Sequence, residues 1–326
     1  MFSVETDTSA PLAHLREHGY VIVDQVLDPA EVIAPTLIEF EEVLDHLVKR
    51  LVREGHLDER FEDRPFEERF LAVSERSEIQ LAQHFDFSLP QSGIKHDTPF
   101  HFGPAIFELV RHPRLLDLLE PELGEEIALN PVGHVRLKPP VRGIPARSTA
   151  LMDTTPWHQD NGAVLPEADT TRTLTVWIPL TEATEANGCL QVQPGSHDLG
   201  LLDHCPTGNG TNSSIPSRFL DEERAVTLPM EPGSVLVMDA RLAHASLPNT
   251  TESGMRISLD LRYQPAGEPS GRPHFPSVLV RSRACLDEVV TSSEAWEQLW
   301  RQARARLAEG GSYRFHRWDP NASVCA

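Results

Sequence analysis

The sequence predicts a mainly β protein with helices at its start and a jelly-roll core, two facing sheets with a ligand cavity between them. Three observations carry this. Through residue 125 the apolar residues recur at helical spacing. From about residue 126 to 265 they fall instead into short runs separated by Gly, Pro and Asn, the pattern of a sandwich or barrel. The 326 residues show no internal repeat and are long enough to bury a large core. The expected organisation is one domain over 1–326, with a helical part at 1–125, the jelly roll at about 126–265 and a helical extension at 266–326.

Each element has a local reason. Residues 9–19 form a short helix, with Pro11 in its first turn and Gly19 ending it. Tyr20–Val23 is a strand. Asp28 caps a second helix with Glu31 in the capping-box position. Along that helix Leu37, Phe40, Leu44, Leu47, Val48 and Leu51 share one apolar face, and Gly55 closes it. Residues 65–83 are helical more weakly, around Phe66, Phe70 and Leu71. Pro104 and Pro113 open two further helices, and Gly124 ends the second. Residues 126–137 alternate as one strand, with His134, Arg136 and Lys138 on one side, until Pro139-Pro140. A loop covers 141–154. Strands follow at 173–180, 189–192, 226–228, 234–238 and 256–263. Residues 202–216 are rich in Gly, Asn, Ser and Thr, a loop inside the β region that reads equally as a lid over the cavity or as a disordered insertion. Ser292 or Ser293 caps a last helix to about 307, stopped by Gly310-Gly311. The aromatic, basic tail Tyr313–Trp318 is expected to dock on the body.

Charge narrows the partners. The chain carries 49 acidic and 29 basic residues, a net −20. So acidic a surface repels nucleic-acid phosphates and anionic lipid, and no run is apolar enough to span a bilayer. The expected partner is a small-molecule substrate. A local basic pocket for an anion is compatible with the overall charge. The N-terminus lacks a basic start and an apolar core. Cys189, Cys205, Cys285 and Cys325 are few and widely spaced, without a Cys-x-x-Cys pair. Both features predict a reducing, cytoplasmic location.

The stretch with chemistry is Thr155-Pro156-Trp157-His158-Gln159-Asp160-Asn161-Gly162. In an extended segment His158 and Asp160 leave the same face, so an imidazole and a carboxylate can grip one metal ion. A second histidine would complete the two-histidine, one-carboxylate set of non-haem Fe(II) oxygenases. His244 suits that place, soon after the apolar strand 234–238. Twelve residues on, Arg256 shares a strand face with Ser258. An arginine in an apolar strand is costly to bury without an anionic partner, and its planar fork suits a carboxylate.

The ordered set His158-x-Asp160, Asn187-Gly188-Cys189-Leu190, Pro194-Gly195-Ser196-His197, His244 with Ser246, and Arg256 resembles the phytanoyl-CoA dioxygenase family. Leu137-Lys138-Pro139-Pro140 and His112-Pro113-Arg114-Leu115-Leu116 are similar to family segments too. The resemblance spans roughly residues 15–265. It implies a cupin-like double-stranded β-helix and an Fe(II)- and 2-oxoglutarate-dependent dioxygenase that uses O2. It also implies that His158, Asp160 and His244 bind iron and that Arg256 holds the distal carboxylate of 2-oxoglutarate, with Trp177, Ser246 and Ser258 beside that cosubstrate. The expected reaction is hydroxylation of an unactivated C–H bond in a small molecule of specialised metabolism, releasing succinate and CO2. The carboxylate at Asp160 fills the place that related halogenases leave for chloride. Desaturation, cyclisation and epoxidation stay open. So does a non-oxygenase jelly-roll metalloprotein, although an isomerase or hydrolase would not need Arg256.

Overall fold

A computed structural model describes residues 2–3, 9–77, 79–143, 151–207, 212–311, 313–319 and 321–325. After strand β1 (Phe2–Ser3) come helix α1 (Ser9–His18) and strand β2 (Tyr20–Asp24). Asp28 caps the next turn as expected, its Oδ1 accepting from the amides of Ala30 and Glu31. That turn, Pro29–Ile33, is π-helical and leads into α2 (Ala34–Arg53). Helices α3 (Phe66–Arg76), α4 (Pro104–Val110) and α5 (Pro113–Leu123) complete the helical part.

The expected single strand over 126–137 is two strands, β3 (Ile127–Leu129) and β4 (His134–Lys138). Pro131 and Gly133 interrupt it, and Asn130 turns the chain by accepting from the Val132 amide. The core then runs β5 (Leu174–Pro179), β6 (Leu190–Val192), β7 (Cys205–Thr207), β8 (Asn212–Ser214), β9 (Val226–Leu228), β10 (Val235–Asp239), β11 (His244–Ser246), β12 (Arg256–Pro265) and β13 (Val278–Arg281). Helix α6 (Ser293–Ala308) follows, capped by Ser292. No described helix is long and apolar enough to cross a membrane.

Two sheets face each other. The large one has the order β1-β2-β10-β5-β12-β3-β13, with β4 also paired to β12; the small one is β11-β6-β9. The large sheet draws β1, β2 and β13 from outside residues 126–265, and β2 finds its partner in β10, more than 200 residues along the chain. The 202–216 segment, expected to be irregular, contains the hairpin β7–β8, with residues 208–211 outside the described part.

Alternation along the strands sorts the side chains. Val21, Val23, Val135, Leu137, Leu174, Val176, Ile178, Val235, Val237, Ile257, Leu259, Leu261 and Tyr263 pack with the helices in one core. Their neighbours Trp177, Leu236 and Met238 turn the other way and join Leu190, Val192 and Leu228 of the small sheet. That second face also carries Arg256, Ser258, Asp260 and Arg262 of β12, in register with Lys138, Arg136 and His134 of β4 and with Trp177 and Thr175 of β5. The helix-covered face is therefore apolar and the inter-sheet face holds the polar chemistry.

Helix α6 seals the apolar side. Trp296, 1% exposed, meets Phe102 edge-on at 4.6 Å and lies near Phe87 and Phe107. Replacing Trp296 by Ala should cost about 3–5 kcal/mol, seen as a lower guanidinium midpoint at unchanged slope.

Candidate metal centre and cosubstrate pocket

His158 and His244 face each other as an isolated antiparallel bridge, each amide donating to the other's carbonyl at 2.9 Å. This brings two residues 86 positions apart to a ring separation of 4.2 Å. Each Nδ1 lies against a carbonyl, Pro156 O at 2.9 Å and Leu242 O at 3.0 Å. A carbonyl only accepts, so Nδ1 carries the proton and Nε2 is left with its lone pair. The Nε2 atoms lie 3.6 and 4.0 Å from the oxygens of Asp160. Ligand atoms of His158, Asp160 and His244 all fall within 4.8 Å of one another, close enough to hold one metal ion.

Gln159 is extended, which turns His158 and Asp160 to the same side, and a 3-10 turn, Asp160–Ala163, begins immediately after. Gly162 permits that turn. A Cβ there would lie 2.6 Å from the His204 ring. The Gln159 side chain runs beneath the loop and donates to Gly200 O at 2.8 Å and Arg241 O at 2.5 Å.

Asp160 has two further partners that sequence reasoning missed. Arg262 Nη2 donates to Oδ1 at 2.5 Å, and Thr175 Oγ1 donates to Oδ2. Burial alone would push this carboxyl up, but Arg262 and the two imidazoles hold it well below the usual carboxylate range. Burial, then His158, lowers His244 to about 4. The ligand set is thus an ionised carboxylate and a neutral imidazole at neutral pH, the forms a divalent ion requires.

One cavity opens inward from the triad. Its walls include Trp177, Leu190, Met238, Ser246 and Arg256. Arg256 is 2% exposed and stacks 5.3 Å from the Trp177 ring centroid. Its Nη1 donates to Ser258 Oγ, its Nε has no partner, and no acid pairs with it among the described residues. Burial lowers its pKa only to about 10, so it stays cationic. Ser258 lies behind Arg256 and acts on it, away from the cavity wall. Ser246 does line the cavity, and its Oγ accepts from the Thr155 amide at 2.8 Å and from Lys138 Nζ at 2.6 Å.

Lys138 is a third residue the sequence left unassigned. It is buried opposite Arg256 on the neighbouring strand, and Gly188 leaves it room. Burial, then the Arg256 and Arg136 charges, lower its pKa to about 6. His197 binds no ligand set and instead approaches Arg16 O at 3.2 Å, supporting a turn. Cys205 and Cys325 form a disulfide across 120 residues. Widely spaced thiols give no hint of this pair, and it weakens the inference of a reducing compartment drawn from them.

A second cavity of about 100 Å3 opens outward from His158 and Asp160, past Arg136, Thr155 and Arg262, residues it shares with the inner one. His158 thus borders both cavities, one lined by Arg256 and the other by Trp318 and His316.

A jelly roll with two imidazoles and one carboxylate at the mouth of its sheets defines the class of non-haem iron oxygenases. The model of the phytanoyl-CoA dioxygenase (PhyH) family matches residues 15–258, and the chain belongs to that family. It is 30% identical over 264 residues to 1-deoxypentalenic acid 11-beta-hydroxylase of Streptomyces exfoliatus, covering 78% of this chain and 80% of that protein. It is 33% identical over 168 residues to a probable alpha-ketoglutarate-dependent hypophosphite dioxygenase of Stutzerimonas stutzeri, covering 50% of this chain and 54% of that one. Among solved structures, the non-heme monooxygenase ThoJ shares the fold at TM-score 0.59 and 21% identity, over 93% of this chain and 99% of its own. The epimerase SnoN with Fe3+, alpha ketoglutarate and nogalamycin RO does so at TM-score 0.50 and 24% identity, over 81% and 87%. The chain is an Fe(II)/2-oxoglutarate-dependent dioxygenase.

Two outcomes test this geometry. Arg262→Met should weaken Co(II) binding about 10–100-fold, the usual effect of removing a partner of a metal ligand, measured by calorimetry. Lys138 has its folded pKa below its unfolded one, so between about pH 6 and 10.5 the unfolded chain binds the extra proton and stability rises with pH. Lys138→Met should flatten the rise in denaturation free energy between pH 7 and 8.5 by up to about 1.4 kcal/mol per pH unit.

Proposed function

We propose that His158, Asp160 and His244 hold Fe(II), that Arg256 anchors the distal carboxylate of 2-oxoglutarate in the inner pocket, and that the enzyme hydroxylates an unactivated C–H bond of a small organic molecule of specialised metabolism. The observation that carries the reading is Arg256. Among the described residues no acid forms an ion pair with this buried guanidinium and its Nε has no partner, so burial outweighs the distant charge of Asp260, and a carboxylate would restore the balance. A metal-dependent isomerase or hydrolase that uses no 2-oxoglutarate has no use for it.

The residues around it have consistent tasks. Ser258 and the Trp177 face hold the guanidinium plane. Ser246, fixed by Lys138 and the Thr155 amide, presents its hydroxyl from the opposite wall. Lys138 adds a second charge for the dianion, since an arriving carboxylate favours its protonated form. Bound iron with 2-oxoglutarate supplies the oxidation: O2 is consumed, the cosubstrate leaves as succinate and CO2, and one oxygen atom goes to the substrate. The protein's share is to fix the ligands, admit the substrate from the outer pocket and aim one C–H bond. Asp160 leaves no place for halide. The relative from Streptomyces exfoliatus, by its name a hydroxylase of 1-deoxypentalenic acid, supports the substrate class. The net −20 charge argues against nucleic acid as partner.

The test is succinate formation that requires both Fe(II) and 2-oxoglutarate. Arg256→Ala should raise the KM for 2-oxoglutarate about 10–100-fold, the worth of one charge-assisted bidentate contact. An unchanged KM would remove Arg256 from the cosubstrate site.

A further inference from the structure

The family match ends at residue 258, and the chain's last segment lies beyond it. That segment returns to the metal-binding loop. Trp318 Nε1 donates to Gly162 O at 2.6 Å, and its ring stacks on His204 at 5.0 Å. His204 is buried, and its Nε2 accepts from the amide of Gln159 at 2.9 Å, between two residues of the triad. Arg272 donates to Phe315 O in the tail and to Ala163 O in the loop. Arg317 forms a two-pronged pair with Asp169, at 2.5 and 2.8 Å. The tail's far end is joined to Cys205, the neighbour of His204, through Cys325. These contacts set Trp318 and His316 in the wall of the outer cavity, across from Val132 and His134.

We propose that Trp318 is a specificity-determining residue: the tail, fastened by the Cys205–Cys325 bond, makes the wall that limits the size and shape of what reaches the metal from the outer pocket. This rests on the proposed division into an inner cosubstrate pocket and an outer substrate pocket. A ring packed on one side and hydrogen-bonded at its edge holds its position at low entropic cost. A wall of that kind discriminates by steric exclusion.

The test needs no knowledge of the natural substrate. Full-length protein is loaded with Co(II) and 2-oxoglutarate, so that the inner pocket is filled, and its visible spectrum is titrated with imidazole and with the bulkier 4-phenylimidazole. The quantity read is the ratio of the two affinities. Trp318→Ala should shift the ratio towards 4-phenylimidazole about tenfold, corresponding to about 1.4 kcal/mol, with imidazole binding unchanged. Trp318→Phe, which keeps a ring in place, should stay near wild type. Cys325→Ser, which unfastens the tail without touching the wall, should shift the ratio in the same direction, and it decides the matter if Trp318→Ala does not fold. A wild-type ratio in the folded variants, with Co(II) and 2-oxoglutarate affinities intact, overturns the proposal. A wild-type protein that binds no Co(II), or whose spectrum ignores 2-oxoglutarate, overturns the metal reading and this inference with it.

Discussion

The structure depends on one constraint, the strict alternation of side chains along β12. Ile257, Leu259, Leu261 and Tyr263 must go into the apolar core under the helices. That obliges Arg256, Ser258, Asp260 and Arg262 to share the opposite face, however costly their burial. The neighbouring strands obey the same rule. Val135 and Leu137 force His134, Arg136 and Lys138 inward, and Val176 and Ile178 force Thr175 and Trp177 inward. The helical part is thus more than a cover. By fixing which face is apolar, it fixes which face is chemical, and a one-residue slip of β12 would exchange the two.

Charge on that inner face is arranged in a graded way. Arg262 is neutralised by Asp160, and Arg136 by Asp260 at 2.7 Å. Arg256 has only a hydroxyl and an indole face. On β12, Arg262 thus holds the carboxylate of Asp160 in place, whereas Arg256 forms no ion pair among the described residues.

Much of this was legible in the sequence. His158-Gln159-Asp160, His244 and Arg256 could be singled out because their residue types and strand settings suit a metal and an anion, and the resemblance to a known family supplied the roles. The helices declared themselves by caps, prolines and apolar periodicity. Lys138, Arg262 and Thr175 could not be assigned, because their places arise from cross-strand pairing, as of Lys138 with Arg256 118 positions on, and register is invisible before the sheet is known. The break at Asn130–Gly133 was missed because alternation on either side of it continues in phase. The hairpin β7–β8 was hidden by its turn-forming composition, and the Cys205–Cys325 bond by its distance along the chain. The tail was expected to dock. Its route to the metal-binding loop depends on Gly162 O and His204, whose positions no local pattern reveals.

The double tether of Asp160 bears on which ion the centre selects. Arg262 occupies one oxygen and Thr175 the other. A carboxylate anchored in this way cannot rotate to offer both oxygens side by side. Calcium, which favours six to eight oxygens and often a chelating carboxylate, is poorly served. A smaller ion content with one oxygen and two nitrogens is well served. At the proposed iron site the two donors behind Asp160 thus add to the two imidazoles in disfavouring calcium.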